Sequence, residues 1–179
     1  MSLTLATLIP ALFLAVVGAL LLVNNSAIVA MFKAFPRSKT AAGVLFGAGA
    51  LWFLYYVWHL SEADFGEYRT GLFFGFAAVA ALSFYYVPDF LAVRGACILM
   101  LLTGVPLLDS GFLVYSPPQI CLYKIAIFIG VALAIYLGSV PYRLRDFFQW
   151  LFATAKRPRA FGSALLAYGV LLAVVAFTY

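Results

Sequence analysis

Two charged residues, Asp109 and Lys124, stand inside stretches that are otherwise apolar. A carboxylate or an ammonium at the centre of a membrane-crossing helix costs about 2.5–3.5 kcal/mol on insertion scales, which makes such residues the default functional candidates. The two flank the breaker cluster Ser116-Pro117-Pro118-Gln119 at about seven residues on either side. In an antiparallel hairpin rising 1.5 Å per residue, that spacing puts both at similar depth, roughly 10 Å below the nearer interface. Such a pair could bind a zwitterion or relay a proton. It could equally pin two helices together, or let each side chain reach up to the interface, and the structural use is the expectation.

A second cluster gathers one imidazole and three carboxylates: His59, Glu62, Asp64 and Glu67. Those groups could hold a divalent cation weakly or exchange protons. Their spacing matches no ligand pattern as specific as HExxH, so a solvated acidic loop is expected and no metal is assigned. Cys97 and Cys121 lie in different apolar stretches without CxxC or Cys/His spacing, which supports neither a zinc site nor a redox pair. No nucleophile elbow accompanies the single histidine, and no phosphate-cradling glycine loop follows a strand. The expectation is a non-catalytic protein with no cofactor.

The elements that carry these residues are set by composition. Of 179 residues, 66% are hydrophobic, 18% aromatic and only 9% charged, too little polar surface to coat a water-soluble globule. A spanning helix takes about 20 apolar residues. The chain offers six such segments, at about 3–23, 41–60, 71–87, 96–115, 120–140 and 161–178, so an all-α polytopic bundle is expected, a single transmembrane domain with no soluble domain. A frame for the fourth segment that begins at Leu91, with Arg94 snorkelling, fits nearly as well. The first segment lacks the basic flank of a secretory signal and is expected to stay as a membrane helix.

Two shorter stretches have the one-face periodicity of helices lying in the headgroup layer. In residues 27–35, Ile28, Met31, Phe32 and Phe35 recur at helical spacing. A competing frame would run the first span on through Asn24 and Asn25, at the cost of burying two amides. In residues 143–156, Leu144, Phe147, Phe148, Leu151 and Phe152 share one face, while Arg145, Asp146, Gln149 and Lys156 share the other. Trp150 stands at the edge of the apolar face. Together with Arg143, Arg145, Lys156, Arg157 and Arg159, it is the candidate headgroup-binding set.

Loop charges give an orientation. Lys33, Arg37 and Lys39 fall between the first and second segments, Arg94 between the third and fourth, and Arg143, Arg145, Lys156, Arg157 and Arg159 between the fifth and sixth. Arg69 alone falls in the connections that alternate with these. The positive-inside bias then places both termini outside, with a bacterial plasma membrane as the default. Eleven Lys and Arg against six Asp and Glu give a net charge of +5, which loops meeting anionic headgroups account for without nucleic acid.

Residues 32–51 and 152–171 align, pairing Phe32 with Phe152, Arg37 with Arg157 and Gly49 with Gly169. A parallel internal repeat would produce this, and so would apolar composition alone, which is the expectation. Small residues at Gly43, Gly47, Gly49, Gly71, Gly75, Gly130, Ala134 and Gly138 suggest helix faces for close contact with other helices of the chain, a second copy or another membrane protein. With almost no mass outside the bilayer, the chain reads as an accessory or assembly subunit of a membrane complex. The alternative is a small solute or ion carrier or channel using Asp109 and Lys124.

Overall fold

The computed structural model describes residues 1–114, 116 and 118–178, and helices dominate it. Among the described residues there is no strand, and helix accounts for 84%. The helices are α1 (Leu3–Val23), α2 (Ser26–Ala34), α3 (Lys39–Trp58), α4 (Arg69–Tyr86), α5 (Leu91–Asp109), α6 (Ile120–Ser139), α7 (Tyr142–Leu151) and α8 (Lys156–Ala176), with short 3₁₀ turns at Phe35–Arg37, Glu62–Asp64 and Gly66–Tyr68. Five of them, α1, α3, α5, α6 and α8, are long and apolar enough to cross a membrane, as a multi-pass membrane protein requires. α4 has 18 residues, but Arg69 and Thr70 open it and Tyr85 and Tyr86 close it, and it falls short of those five.

Local chemistry sets the ends. Ser2 Oγ accepts from the Leu5 N–H at 3.4 Å and starts α1. Asn24 stops it in the left-handed region, φ 45°, with its own N–H on the Leu20 carbonyl. The break at Asn24 and Asn25 matches the frame in which a separate short helix follows α1. Ser38 Oγ caps α3 through the Ala41 N–H at 3.2 Å.

Three expected segments have boundaries that move. The fourth apolar segment is helical from Leu91 rather than Ala96, and it ends at Asp109 well short of Tyr115, which lies outside the described residues. Ser110 and Gly111 end it, because a serine competes for backbone carbonyls and glycine is a poor helix continuer. Ser110 Oγ donates to the Leu107 carbonyl at 2.7 Å and the Gly111 N–H bonds the Leu108 carbonyl at 3.2 Å. The stretch expected at 143–156 stops at Leu151, because Arg157 Nη1 donates to the orphan carbonyl of Trp150 at 2.9 Å and caps the helix from downstream. The last helix starts at Lys156 rather than Phe161. Pro158 is tolerated there because the first turn needs no N–H from it.

Packing divides into two seams. α1 lies against α8, and α5 is sandwiched between α3 and α6, while α4 rests on the outside of α3. The α1/α8 seam is backbone against backbone. A Cβ on Gly18 would stand 2.6 Å from Leu166 N and 2.7 Å from the Gly162 carbonyl oxygen, and one on Gly169 would stand 2.7 Å from Ala15 N. Gly95 does the same for α5 against Phe46 of α3. Ala6, Ala11, Leu107, Ile120, Tyr123, Ile127 and Leu172 bury one another where α1, α5, α6 and α8 meet. α3 and α6 each pack chiefly on α5, so α3 has no equivalent of the α1/α8 seam and the two aligned units are not packed alike.

Candidate functional site

The connections that the loop charges group together converge at one end of the bundle, here the basic end. α2 meets α7 through Phe32, whose ring lies 5.4 Å from Phe148 and 5.9 Å from Phe152. The α4–α5 turn brings Phe90 beneath two guanidiniums, that of Arg37 at 5.5 Å and that of Arg145 at 6.0 Å. Phe90 holds φ at 59°, a conformation uncommon for a bulky side chain and one that turns the chain into α5. Arg145 also donates through Nε and Nη2 to Asp146 Oδ1, at 3.0 and 2.7 Å, with both side chains well exposed. This is the only ion pair among the described residues.

Arg157 stacks on the Trp150 indole at 4.7 Å while bonding the Trp150 carbonyl, and Arg143 lies 5.8 Å from the Tyr142 ring. Lys156 and Arg159 are exposed in the first turns of α8. The six candidate headgroup residues therefore stand at one end of the bundle, on α7 and the start of α8. Phe90 and Arg37 belong to the same patch, although the sequence marks Arg37 only as a loop charge and an aligned position, and Phe90 not at all. The signal was present as Arg37 in the first basic connection, but nothing in spacing revealed that Phe90 would sit under it.

The helix ends make this charge distribution unusual. α3, α5 and α8 all begin at this end, with Lys39, Arg94 and the run Lys156, Arg157 and Arg159 in or just past their first turns and no acidic residue there. Positive charge at the positive end of a helix dipole is unfavourable, by roughly 0.3–1 kcal/mol each at an exposed end. α1 and α6 finish at the same end, where cations would be favoured, and carry none in their last turns. Helix electrostatics alone would put the charges the other way round.

The opposite end holds the other candidates, and they do not assemble. His59 Nδ1 lies 2.8 Å from the Tyr55 carbonyl and so carries the proton on that nitrogen, and its ring packs 4.2 Å from the Tyr55 ring. Ser61 Oγ donates to Asp64 Oδ2 at 2.9 Å. Glu62, Asp64 and Glu67 are exposed on two 3₁₀ turns, and no group of three or more His, Cys, Asp or Glu among the described residues could hold a metal ion. Asp109 is the exposed last residue of α5. Lys124 Nζ donates to the Val114 carbonyl at 3.3 Å, across the connection from α5, and makes no ion pair with Asp109.

Two depressions are open to the surface. One, of about 550 Å³, is lined by Asn24, Lys33, Phe152, Thr154 and Pro158 where the α1–α2 and α7–α8 elbows meet. The other, of about 380 Å³, runs between α5 and α6 from Arg94. Compared with known proteins, the chain matches no family model, no curated sequence and no solved structure.

Proposed function

We propose that this chain is a non-catalytic accessory or assembly subunit of a membrane complex, and that its partner docks on the α3/α4 side. In this reading α4 is a sixth span, the short helices α2 and α7 lie in the headgroup layer, and the basic end faces the cytoplasm of a bacterial plasma membrane with both termini outside. The basic first turns support that orientation, since anionic headgroups would supply the negative charge that the helix dipoles lack there.

One observation carries the partner reading: Gly43 and Gly47 on α3, and Gly71 and Gly75 on α4, have nothing within 4 Å of where a Cβ would stand. Within lipid no hydrophobic force drives helices together, so association relies on close approach at small residues. Elsewhere in this chain glycines are used in that way, at Gly18, Gly162 and Gly169 and at Gly95. Two further i, i+4 glycine pairs on neighbouring helices are left open. α4 itself buries no residue and is held to α3 by ring contacts, Phe46 to Phe84 at 5.2 Å, Phe53 to Phe76 at 5.0 Å and Trp58 to Phe73 at 5.2 Å. A carrier built on Asp109 and Lys124 has less support, since the two charges do not pair and both lie near one end of the bundle.

The test is gentle purification from the native membrane. A stoichiometric membrane partner is expected with the wild type and is expected to be lost with Gly71→Ile and Gly75→Ile, while helicity and yield stay unchanged. A lone monomer that responds to a solute would overturn the proposal. So would a partner indifferent to both substitutions.

A further inference from the structure

We infer that the groove between α5 and α6 is a binding site for one anionic phospholipid, its phosphate on Arg94 and an acyl chain along the apolar floor. The groove is lined by Arg94, Cys97, Ile98, Leu101, Ala134, Ile135, Gly138 and Ser139 and has a volume of about 380 Å³. Its polar groups, Arg94 and Ser139, stand together at the basic end, because α5 starts there and α6 finishes there. From Arg94 to Leu101 the floor runs roughly 10 Å along α5 at 1.5 Å per residue. Beyond the polar pair the lining is hydrocarbon, apart from the Cys97 thiol and the Gly138 backbone.

Arg94 is half-buried, yet among the described residues its guanidinium has neither a hydrogen bond nor an ion pair. A charge withdrawn from water without a partner is costly, and it also sits in the first turn of α5, where the helix dipole opposes it. The nearest acid in sequence, Asp89, is exposed and makes no pair with it. The chain thus holds a cation whose counter-ion must come from outside. A guanidinium offers a planar fork that matches phosphate oxygens two at a time.

The adjoining surface selects the rest of the ligand. A free phosphate would leave the apolar floor unused, and a partner helix would bring no anion to the one fixed charge in the lining. A phospholipid supplies both halves in the right order, anion at the interface and hydrocarbon toward the midplane. Ser139 Oγ, which donates to the Ile135 carbonyl at 2.9 Å, keeps lone pairs free for a headgroup hydroxyl. The site is separate from the α3/α4 side, so it stands or falls independently of the partner reading.

The full-length protein in detergent, examined by native mass spectrometry, tests this with dioleoylphosphatidylglycerol and dioleoylphosphatidylcholine as probes. The wild type is expected to hold one phosphatidylglycerol at least tenfold more tightly than phosphatidylcholine. Arg94→Gln should abolish that preference, and Arg94→Lys should restore part of it. Gly138→Leu should weaken both lipids by filling the slot, since a Cβ at that position reaches only to 3.7 Å from Cys97 Cβ and leaves the longer side chain to occupy the groove. Arg69→Gln, exposed at the start of α4 and at the opposite end of the bundle, should change nothing. The inference is overturned if Arg94→Gln binds as the wild type does or if Arg69→Gln removes the preference equally. Displacement of the lipid by glycerol phosphate at matched concentration would also overturn it, because the floor would then contribute nothing. Should Gly138→Leu fail to fold, the Arg94 pair and the competition decide.

Discussion

Gly18→Ala adds a single methyl group where α1 crosses α8, and the geometry fixes what that methyl group meets. Its carbon would stand 2.6 Å from Leu166 N, 2.7 Å from the Gly162 carbonyl oxygen and 3.0 Å from Leu166 Cα, all backbone atoms. No side chain can rotate aside, so the helices themselves must part, by ~0.8 Å to restore ordinary van der Waals contact, a gap that forfeits about a quarter to a half of each dispersion well along the seam. Overpacking of this kind costs typically about 1–3 kcal/mol, and a wholly backbone clash belongs in the upper half of that range. The matched control is Gly43→Ala, where nothing lies within 4 Å. There alanine should be neutral or stabilising by up to ~1 kcal/mol through helix propensity. Reversible unfolding in mixed micelles, followed by far-ultraviolet circular dichroism with increasing denaturing detergent, gives the difference directly. If Gly18→Ala and Gly43→Ala unfolded within ~0.5 kcal/mol of each other, the claim that α1 and α8 are held by backbone contact would fail, since surface substitutions alone scatter by that much.

Two further outcomes are expected. Asp109→Asn and Lys124→Met should be additive in a double-mutant cycle, with a coupling under ~0.5 kcal/mol, because Lys124 bonds the Val114 carbonyl and no ion pair joins the two residues; a larger favourable coupling would establish the ion pair and revive a functional role for it. With Cys97 and Cys121 replaced by alanine, a cysteine at position 39 or 157 should resist membrane-impermeant maleimide in intact cells and react after permeabilisation. Labelling of either from outside would invert the orientation proposed for the basic end.

The residues that end helices were more legible than the residues that join them. Asn24 and Asn25 are polar, and they stand at the end of α1 and the start of α2 in the fold. Where the breaker was weaker, the boundary moved. Ser110 and Gly111 sit inside a run that stays apolar through Leu113 and Val114, and hydropathy alone cannot separate the last turn of a helix from an apolar turn beyond it. That is why Asp109 reads from sequence as lying within the fourth segment, whereas in the fold it is the last residue of α5. The end of α7 was hidden differently, because the group that caps it, Arg157, belongs to the next helix and becomes a cap only once the chain has folded back. The glycines make the same point from the other side. Gly43, Gly47, Gly71 and Gly75 show the small-xxx-small spacing, yet a Cβ on any of them would meet no described residue within 4 Å, whereas Gly18, Gly162 and Gly169 line a seam of backbone against backbone. Spacing identifies a face that permits close approach, but which faces meet depends on partners far apart in sequence.

The same distinction bears on the charges. A positive-inside count treats each lysine and arginine as equivalent, yet the fold sorts them by what neutralises them. Arg145 has Asp146, Arg157 has an indole and a carbonyl, and Arg37 has the face of Phe90. Cation–π contacts of that kind are worth about 0.5–1 kcal/mol at exposed sites, enough to hold a guanidinium in place but not to discharge it. Arg94 has none of these, and unlike the exposed Lys156 and Arg159 it is half-buried. Water screens the exposed cations at little cost, so their loss should shift orientation preference more than structure. Arg94 is the one whose counter-ion must be a specific molecule rather than solvent, which is why its replacement should register as a change in which lipid the protein retains.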